Sequence, residues 1–249
     1  MSLSRSTFVL AVLLTVFAAS AFAGPVLTIE PENFVFGYAP QNSKVSHTFK
    51  LTNTGDETLK IDRVVPGCGC TKAPLKKDVL VAGESTELEI IFSTRRYNGK
   101  VMKHPSITSN GSANPLKVTI QTDVITRPDS AYPVIISPYK LDISQFGERL
   151  RDEMNFTLEN RSDKDLKPTL IDYPADLMTV TLPELIPAGG SVKGKVELAE
   201  SALPQEFEKS ITLQFDDQGN SRYSIPVKRA VSTPKASANA SAPVSGRSH

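Results

Sequence analysis

The second half of the chain repeats the first at a nearly fixed distance. Val134-Ile135-Ile136-Ser137-Pro138 echoes Leu27-Thr28-Ile29-Glu30-Pro31, 107 positions earlier. At the same offset of 107, Phe156, Leu158, Asn160 and Leu166 echo Phe49, Leu51, Asn53 and Leu59. Ile225 and Val227 likewise echo Val118 and Ile120. Ala188-Gly189-Gly190-Ser191 echoes Ala82-Gly83-Glu84-Ser85 at 106, and Lys209-Ser210-Ile211-Thr212 resembles Lys103 with Ser106-Ile107-Thr108 once gaps are allowed. An offset held over separate segments predicts two similar domains, 24–126 and 127–231, joined near Arg127 to Pro133.

Each unit reads as short strands. His47-Thr48-Phe49-Lys50-Leu51-Thr52 alternates polar and apolar residues, the period of a half-buried strand. Asn53-Thr54-Gly55-Asp56-Glu57 is a turn cluster. Leu59 to Val65 alternates again, and Leu88, Ile90 and Phe92 share one face of the next run. Val101 to Thr108 and Leu116 to Val124 complete the first set. In the second unit Phe156, Leu158, Val192, Val196, Leu198, Ile211, Leu213 and Phe215 supply the apolar face. Helical periodicity does not intervene, so the expectation is all-β: two tandem antiparallel β-sandwiches.

Composition agrees and limits function. Proline (18) outnumbers glycine (14) and tryptophan is absent, which disfavours a helical bundle. The formal net charge of +1 gives no bulk attraction for nucleic acid, so none is expected as a partner. Residues 24–126 carry a net charge of +2 and residues 127–231 a net charge of −4, a modest split that ordinary solvated faces explain. Arg5, the apolar run Thr7 to Ala19 and Ala21-Phe22-Ala23 read as a signal peptide over 1–23, cleaved before Gly24. The run is short for a membrane span, and no later segment could cross one. The expected location is therefore periplasmic or secreted. Residues 232–249, rich in Ser, Ala and Pro, read as a disordered tail.

Both cysteines lie in Pro66-Gly67-Cys68-Gly69-Cys70-Thr71. A Cys-x-Cys pair has three uses. It can close a small disulfide, which removes little chain entropy and suits thiol–disulfide exchange more than stability. It can bind Cu(I), with His47, His104 or Met102 completing the shell if the fold brings them near. It can simply pack a turn. The corresponding stretch of the second unit, near Tyr173-Pro174-Ala175-Asp176, has no cysteine, so the fold does not require the pair twice.

The string Phe49-x-Leu51-x-Asn53-x-Gly55, Leu59-x-Ile61, Gly67-Cys68-Gly69-Cys70-Thr71 and Ala82-Gly83-Glu84-Ser85 resembles a bacterial domain family of unknown function, number 1573. That family is similar to the Ig-like ASH and Hydin domains, and through them to PapD-like and major-sperm-protein sandwiches. The resemblance covers roughly residues 27–126; the second unit matches only in strand pattern. It implies an exported β-sandwich without an assigned activity, and it makes the Asn-x-Ser/Thr triplets at Asn110, Asn155, Asn160 and Asn239 chance occurrences.

Other motifs fail on inspection. Gly189 to Lys195 reads GxxxxGK, yet Val196 stands where a P-loop needs Ser or Thr, and a strand pattern follows. No GxSxG elbow, HExxH helix or paired-carboxylate signature is present, so no catalytic residue is assigned. The expected function is a non-enzymatic binding or scaffolding protein that offers strand edges to a protein partner. The alternative is thiol–disulfide or copper handling by Cys68 and Cys70, with His104 as a further metal ligand.

Overall fold

The structure, a computed structural model, describes residues 24–232. The expected signal peptide lies outside them, as does the expected tail beyond Ser232. Ser232 itself is paired, opposite Phe146.

Among the described residues nearly every element is a strand. The first half contains β1 (Leu27–Ile29), β2 (Asn33–Pro40), β3 (Lys44–Asn53), β4 (Leu59–Val65), β5 (Thr71–Lys72), β6 (Val79–Leu80), β7 (Ser85–Ser93), β8 (Gly99–Lys103), β9 (Ser106–Ser109), β10 (Leu116–Lys117) and β11 (Thr119–Ile125). The second contains β12 (Val134–Ser137), β13 (Leu141–Asp142), β14 (Gln145–Phe146), β15 (Glu153–Asn160), β16 (Pro168–Asp172), β17 (Met178–Thr181), β18 (Ser191–Leu198), β19 (Phe207–Phe215), β20 (Arg222–Arg229) and β21 (Val231–Ser232). Two single turns of 3₁₀ helix, Pro128–Ser130 and Glu200–Ala202, interrupt them.

The alternating runs become strands with the expected inner faces. Phe49 and Leu51 on β3 and Leu88, Ile90 and Phe92 on β7 are buried, and β3 pairs with β7 antiparallel over their whole length. Together with Phe36, Leu59 and Ile120 they form one core, drawn from Leu27 to Ile120. A second core runs from Ile125 to Val227 and includes Phe156, Leu158, Val196, Ile211, Leu213 and Phe215. The GxxxxGK stretch runs from a turn into β18, so strand rather than helix follows it.

Two expected strands are broken. Val101 to Thr108 divides at His104-Pro105 into β8, which pairs with β11, and β9, which pairs with β4 and β10. Leu116 to Val124 divides at Val118, whose N–H donates to the Pro105 carbonyl at 3.0 Å. Pro105 has no N–H for a ladder, so the hairpin changes sheet where pairing is already interrupted.

The repeat is visible as a duplicated turn. Asn53 and Asn160 are both fully buried at the ends of β3 and β15. The Asn53 amide donates to the carbonyls of Glu57 (2.7 Å) and Leu80 (3.0 Å), and Asn160 donates to those of Lys164 (2.7 Å) and Ile186 (3.1 Å). Each side-chain carbonyl accepts the N–H two residues on, from Gly55 at 3.1 Å and Ser162 at 2.9 Å. Asn160 thus belongs to a buried turn, which accounts for its place in an Asn-x-Ser triplet.

The halves share a sheet. Seven strands form one sheet in the order β16-β19-β20-β2-β11-β8, with β13 attached to β20. The link is the parallel bridge Tyr38↔Tyr223 between β2 and β20. The Ser224 hydroxyl donates to the Phe36 carbonyl at 2.8 Å, and Arg222 Nη1 donates to that of Val35 at 3.2 Å. Beside them the Ser46 N–H donates to Ser210 Oγ (2.9 Å), whose hydroxyl donates to the Ser46 carbonyl (3.1 Å). Lys44 pairs with Glu208. The Ser224–Phe36 and Ser46–Ser210 bonds are buried, where each satisfied polar group avoids a desolvation cost.

Tyr223 is one of two exceptions at this seam, buried His47 Nε2 being the other. The Tyr223 ring is buried, but its hydroxyl has no hydrogen-bond partner among the described residues. Burial pushes its pKa above the ordinary phenol value, with Tyr139 adding to the shift. The hydroxyl contributes a desolvation penalty and no compensating bond. Tyr223→Phe is therefore expected to leave stability unchanged or raise it by up to about 1 kcal/mol in urea unfolding. A loss of more than about 1 kcal/mol would show that the hydroxyl is bonded after all.

Candidate functional site

The cysteine turn leaves the end of β4 and returns along β7. The Thr71 N–H donates to the Cys68 carbonyl at 3.2 Å, and the Ser93 N–H donates to the Cys70 carbonyl at 2.8 Å. Thr71 then pairs with Phe92. Cys68 and Cys70 are joined by a disulfide. By the loop-entropy relation a ring this small stabilises the fold by only about 1.5 kcal/mol, against about 3 kcal/mol for a 15-residue loop.

The two sulfurs have different surroundings. Cys70 packs against the first core. Its Sγ accepts the Tyr97 hydroxyl hydrogen at 3.2 Å. Thr71 Oγ1 lies 3.3 Å from Cys68 Sγ and 3.8 Å from Cys70 Sγ. A bridged sulfur has no hydrogen, so these hydroxyls are the donors. Tyr97 is held by Phe92, with ring centroids 5.3 Å apart, and by Lys103, whose Nζ lies 4.8 Å from its ring centre. Cys68 is half-buried between exposed Gly67 and Gly69.

The copper shell read from sequence is not assembled. His104 Nδ1 is 3.2 Å from Thr119 Oγ1. Met102 is exposed on β8, and His47 is engaged elsewhere. Among the described residues no three His, Cys, Asp or Glu side chains come together as a metal site. While Cys68 and Cys70 are bridged, no thiolate is free to bind metal.

Next to the turn lies an open strand edge. β8 is the last strand of the seven-stranded sheet and pairs on one side only, with β11. Arg95, Arg96 and Lys100 are exposed and Lys103 is half-buried. No acidic residue lies between Thr94 and His104. Met102, 51% exposed, is the large apolar side chain in this basic stretch.

A cleft that sequence reading did not anticipate lies where the halves meet. It has a volume of about 580 Å³ and is lined from one side by Ser46, His47, Pro74 and Glu89 and from the other by Asp172, Tyr173 and Lys209. His47 Nδ1 is 2.7 Å from Asp172 Oδ2, and Lys209 Nζ is 2.6 Å from Glu89 Oε1. The His47 ring stacks on Phe34 with centroids 3.6 Å apart and meets the Phe49 edge at 4.7 Å. His47 is thus a cross-half clamp. Nothing in its sequence neighbourhood signals this, because Asp172 is 125 residues away.

Among the described residues, paired strands around two buried apolar cores, with helix limited to single 3₁₀ turns, define this as an all-β protein. Within it, residues 27–124 match the family described as protein of unknown function (DUF1573). The matched stretch contains both the cysteine turn and β8. A comparison with curated proteins finds no match.

Among solved structures the chain is similar to a protein of unknown function from Porphyromonas gingivalis W83. Identity is 16%, the match covers 82% of this chain and 98% of that one, and the TM-score is 0.34. It is also similar to the ASH / PapD-like domain 7 of human CEP192 (11% identity; 51% and 98% covered; TM-score 0.36). A third similarity is to WR4, a C. elegans MSP family member (10% identity; 41% and 100% covered; TM-score 0.28). The fold assignment rests on the sheets and cores above rather than on these low scores.

Proposed function

We propose that this is an exported, non-enzymatic binding or scaffolding protein of two tandem Ig-like domains, and that it takes an extended acidic segment of a partner protein along β8. The open edge of β8 carries this reading. An unpaired edge offers backbone N–H and C=O groups to an added strand, and the side chains around it select which strand fits. Lys100, Lys103, Arg95 and Arg96 repel a second copy of the same edge and attract acidic side chains. Met102 offers an apolar contact between them. The signal-like segment 1–23 and a bridged cysteine pair both suit an oxidising compartment outside the cytoplasm. Among the described residues no helix is long and apolar enough to cross a membrane.

The test uses two immobilised peptides of about ten residues, one alternating Glu with Val and one alternating Lys with Val. The acidic peptide is expected to bind, to lose affinity as salt rises, and to protect the β8 amides from hydrogen exchange. Lys100→Glu with Lys103→Glu should weaken binding by about tenfold or more. Cys68→Ser with Cys70→Ser should leave it within about twofold, since the sulfurs do not form the edge. Equal binding of both peptides, or protection away from β8, would overturn the proposal.

A further inference from the structure

The geometry points to a second activity at the cysteine turn: the Cys68–Cys70 disulfide accepts electrons from a dithiol, with Cys68 the attacked sulfur and Cys70 the leaving one. This goes beyond partner binding and stands without it.

Three observations support it. The bridge spans a single glycine, so it contributes little to holding the fold. Its attackable side is open: Gly67 and Gly69 flank Cys68 and are both exposed, and a Cβ built on Gly69 would meet nothing within 4 Å. Its other side is prepared for charge. Cys70 Sγ already receives the Tyr97 hydroxyl at 3.2 Å, and Tyr97 is fixed by Phe92 and Lys103; Thr71 Oγ1 lies nearer Cys68 Sγ (3.3 Å) than Cys70 Sγ (3.8 Å) and does not set the two apart in favour of Cys70. In a disulfide the Tyr97 donor faces a weak acceptor. When the bond breaks, the same donor faces a thiolate, and a hydrogen bond to a charged acceptor is markedly stronger. The Tyr97 hydroxyl therefore favours the departure of Cys70 over that of Cys68.

The step balances as follows. One thiolate of the dithiol attacks Cys68 Sγ; a new S–S bond forms to the partner and the Cys68–Cys70 bond breaks. The electron pair leaves on Cys70, which accepts the Tyr97 hydrogen bond. The second thiol of the partner, deprotonated, attacks its own bridged sulfur and releases Cys68 as thiolate. Two electrons have passed to the cysteine pair, the dithiol has become a disulfide, and the two protons from the partner end on the cysteines or in water.

The probe is dithiothreitol with the folded protein at neutral pH, quenched with iodoacetamide and read by intact mass. Two alkyl groups are expected after dithiothreitol treatment, with circular dichroism unchanged. Tyr97→Phe should slow reduction by about tenfold, the effect of losing one hydrogen bond to a charged leaving group. It should also raise the pH at which reduced Cys70 alkylates, a readout that loose packing alone would not move. With Cys70→Ala, Cys68 should form a mixed disulfide with glutathione disulfide faster than Cys70 does in Cys68→Ala. A pair that resists reduction unless the protein is unfolded would overturn the inference. So would a Tyr97→Phe variant reduced at the parent rate with an unchanged alkylation profile.

Discussion

Valine at Gly37 is expected to open the seam between the two halves and to cost about 3–5 kcal/mol in urea unfolding. Gly37 lies where β2 shifts register against β11, so that Val35 pairs with Gln121 and Gly37 with Thr122. Its φ is +67°, a left-handed conformation that a β-branched residue adopts only under strain. A Cβ there would also lie inside the contact distance of the Arg222 backbone carbonyl on β20. Strain and collision act together, and the collision falls on the strand pair that joins the halves. Gly83 separates the two contributions. Its φ is +78°, but a Cβ there meets nothing within 4 Å. Gly83→Ala should therefore cost only about 1 kcal/mol, the strain alone. Limited proteolysis of Gly37→Val should cut near Arg127 to Pro133 sooner than in the parent. Equal unfolding midpoints for Gly37→Val and Gly83→Ala would show that β2 and β20 are not in contact as described.

The second large effect is at Arg229. Its side chain is 2% exposed at the end of β20. Nε donates to the Leu203 carbonyl at 3.0 Å, and Nη1 donates to those of Ile143 and Arg151, each at 2.8 Å. Nη2 reaches Gln145 Oε1 at 3.4 Å and shares the Leu203 carbonyl. Burial pulls its pKa below the ordinary guanidinium value, and the Asp152 charge offsets part of that. Among the described residues it makes no salt bridge, so backbone carbonyls replace water around the cation. Three loops are tied to one planar donor group, a geometry that lysine cannot reproduce. Arg229→Met should cost about 3–5 kcal/mol, because those carbonyls remain buried without donors. Arg229→Lys should recover part of this. A loss below about 1 kcal/mol for Arg229→Met would mean that water reaches the carbonyls when the side chain is removed.

Much of the fold was legible because strands and turns leave local marks. The alternation through Phe49 and Leu51 named the buried face of β3, and the offset from Asn53 to Asn160 located a turn built twice by the same hydrogen bonds. The division of Val101 to Thr108 was less legible. Pro105 stood in the sequence, but which strand each fragment would join depended on partners elsewhere in the chain. At the candidate site, the spacing of Cys68 and Cys70 announced the disulfide as one of three uses. The hydroxyl on Cys70 comes from Tyr97, 27 residues away, and had no local signal. His104 was a candidate metal ligand by residue type alone; its Nδ1 lies 3.2 Å from Thr119 Oγ1, and among the described residues it joins no cluster of three metal-ligating side chains.

By itself the sequence determined the strand content, the inner faces and the duplicated turn. Side-chain period and turn chemistry act over a few residues and are written there. Only the tertiary structure decided that β2 of the first half would bridge to β20 of the second, that His47 would clamp Asp172, and that β8 would be left as an open basic edge. Each of these is a pairing between groups far apart in the chain. Backbone donors and acceptors are alike at every residue, so which edge pairs with which is settled by the packing of both cores together.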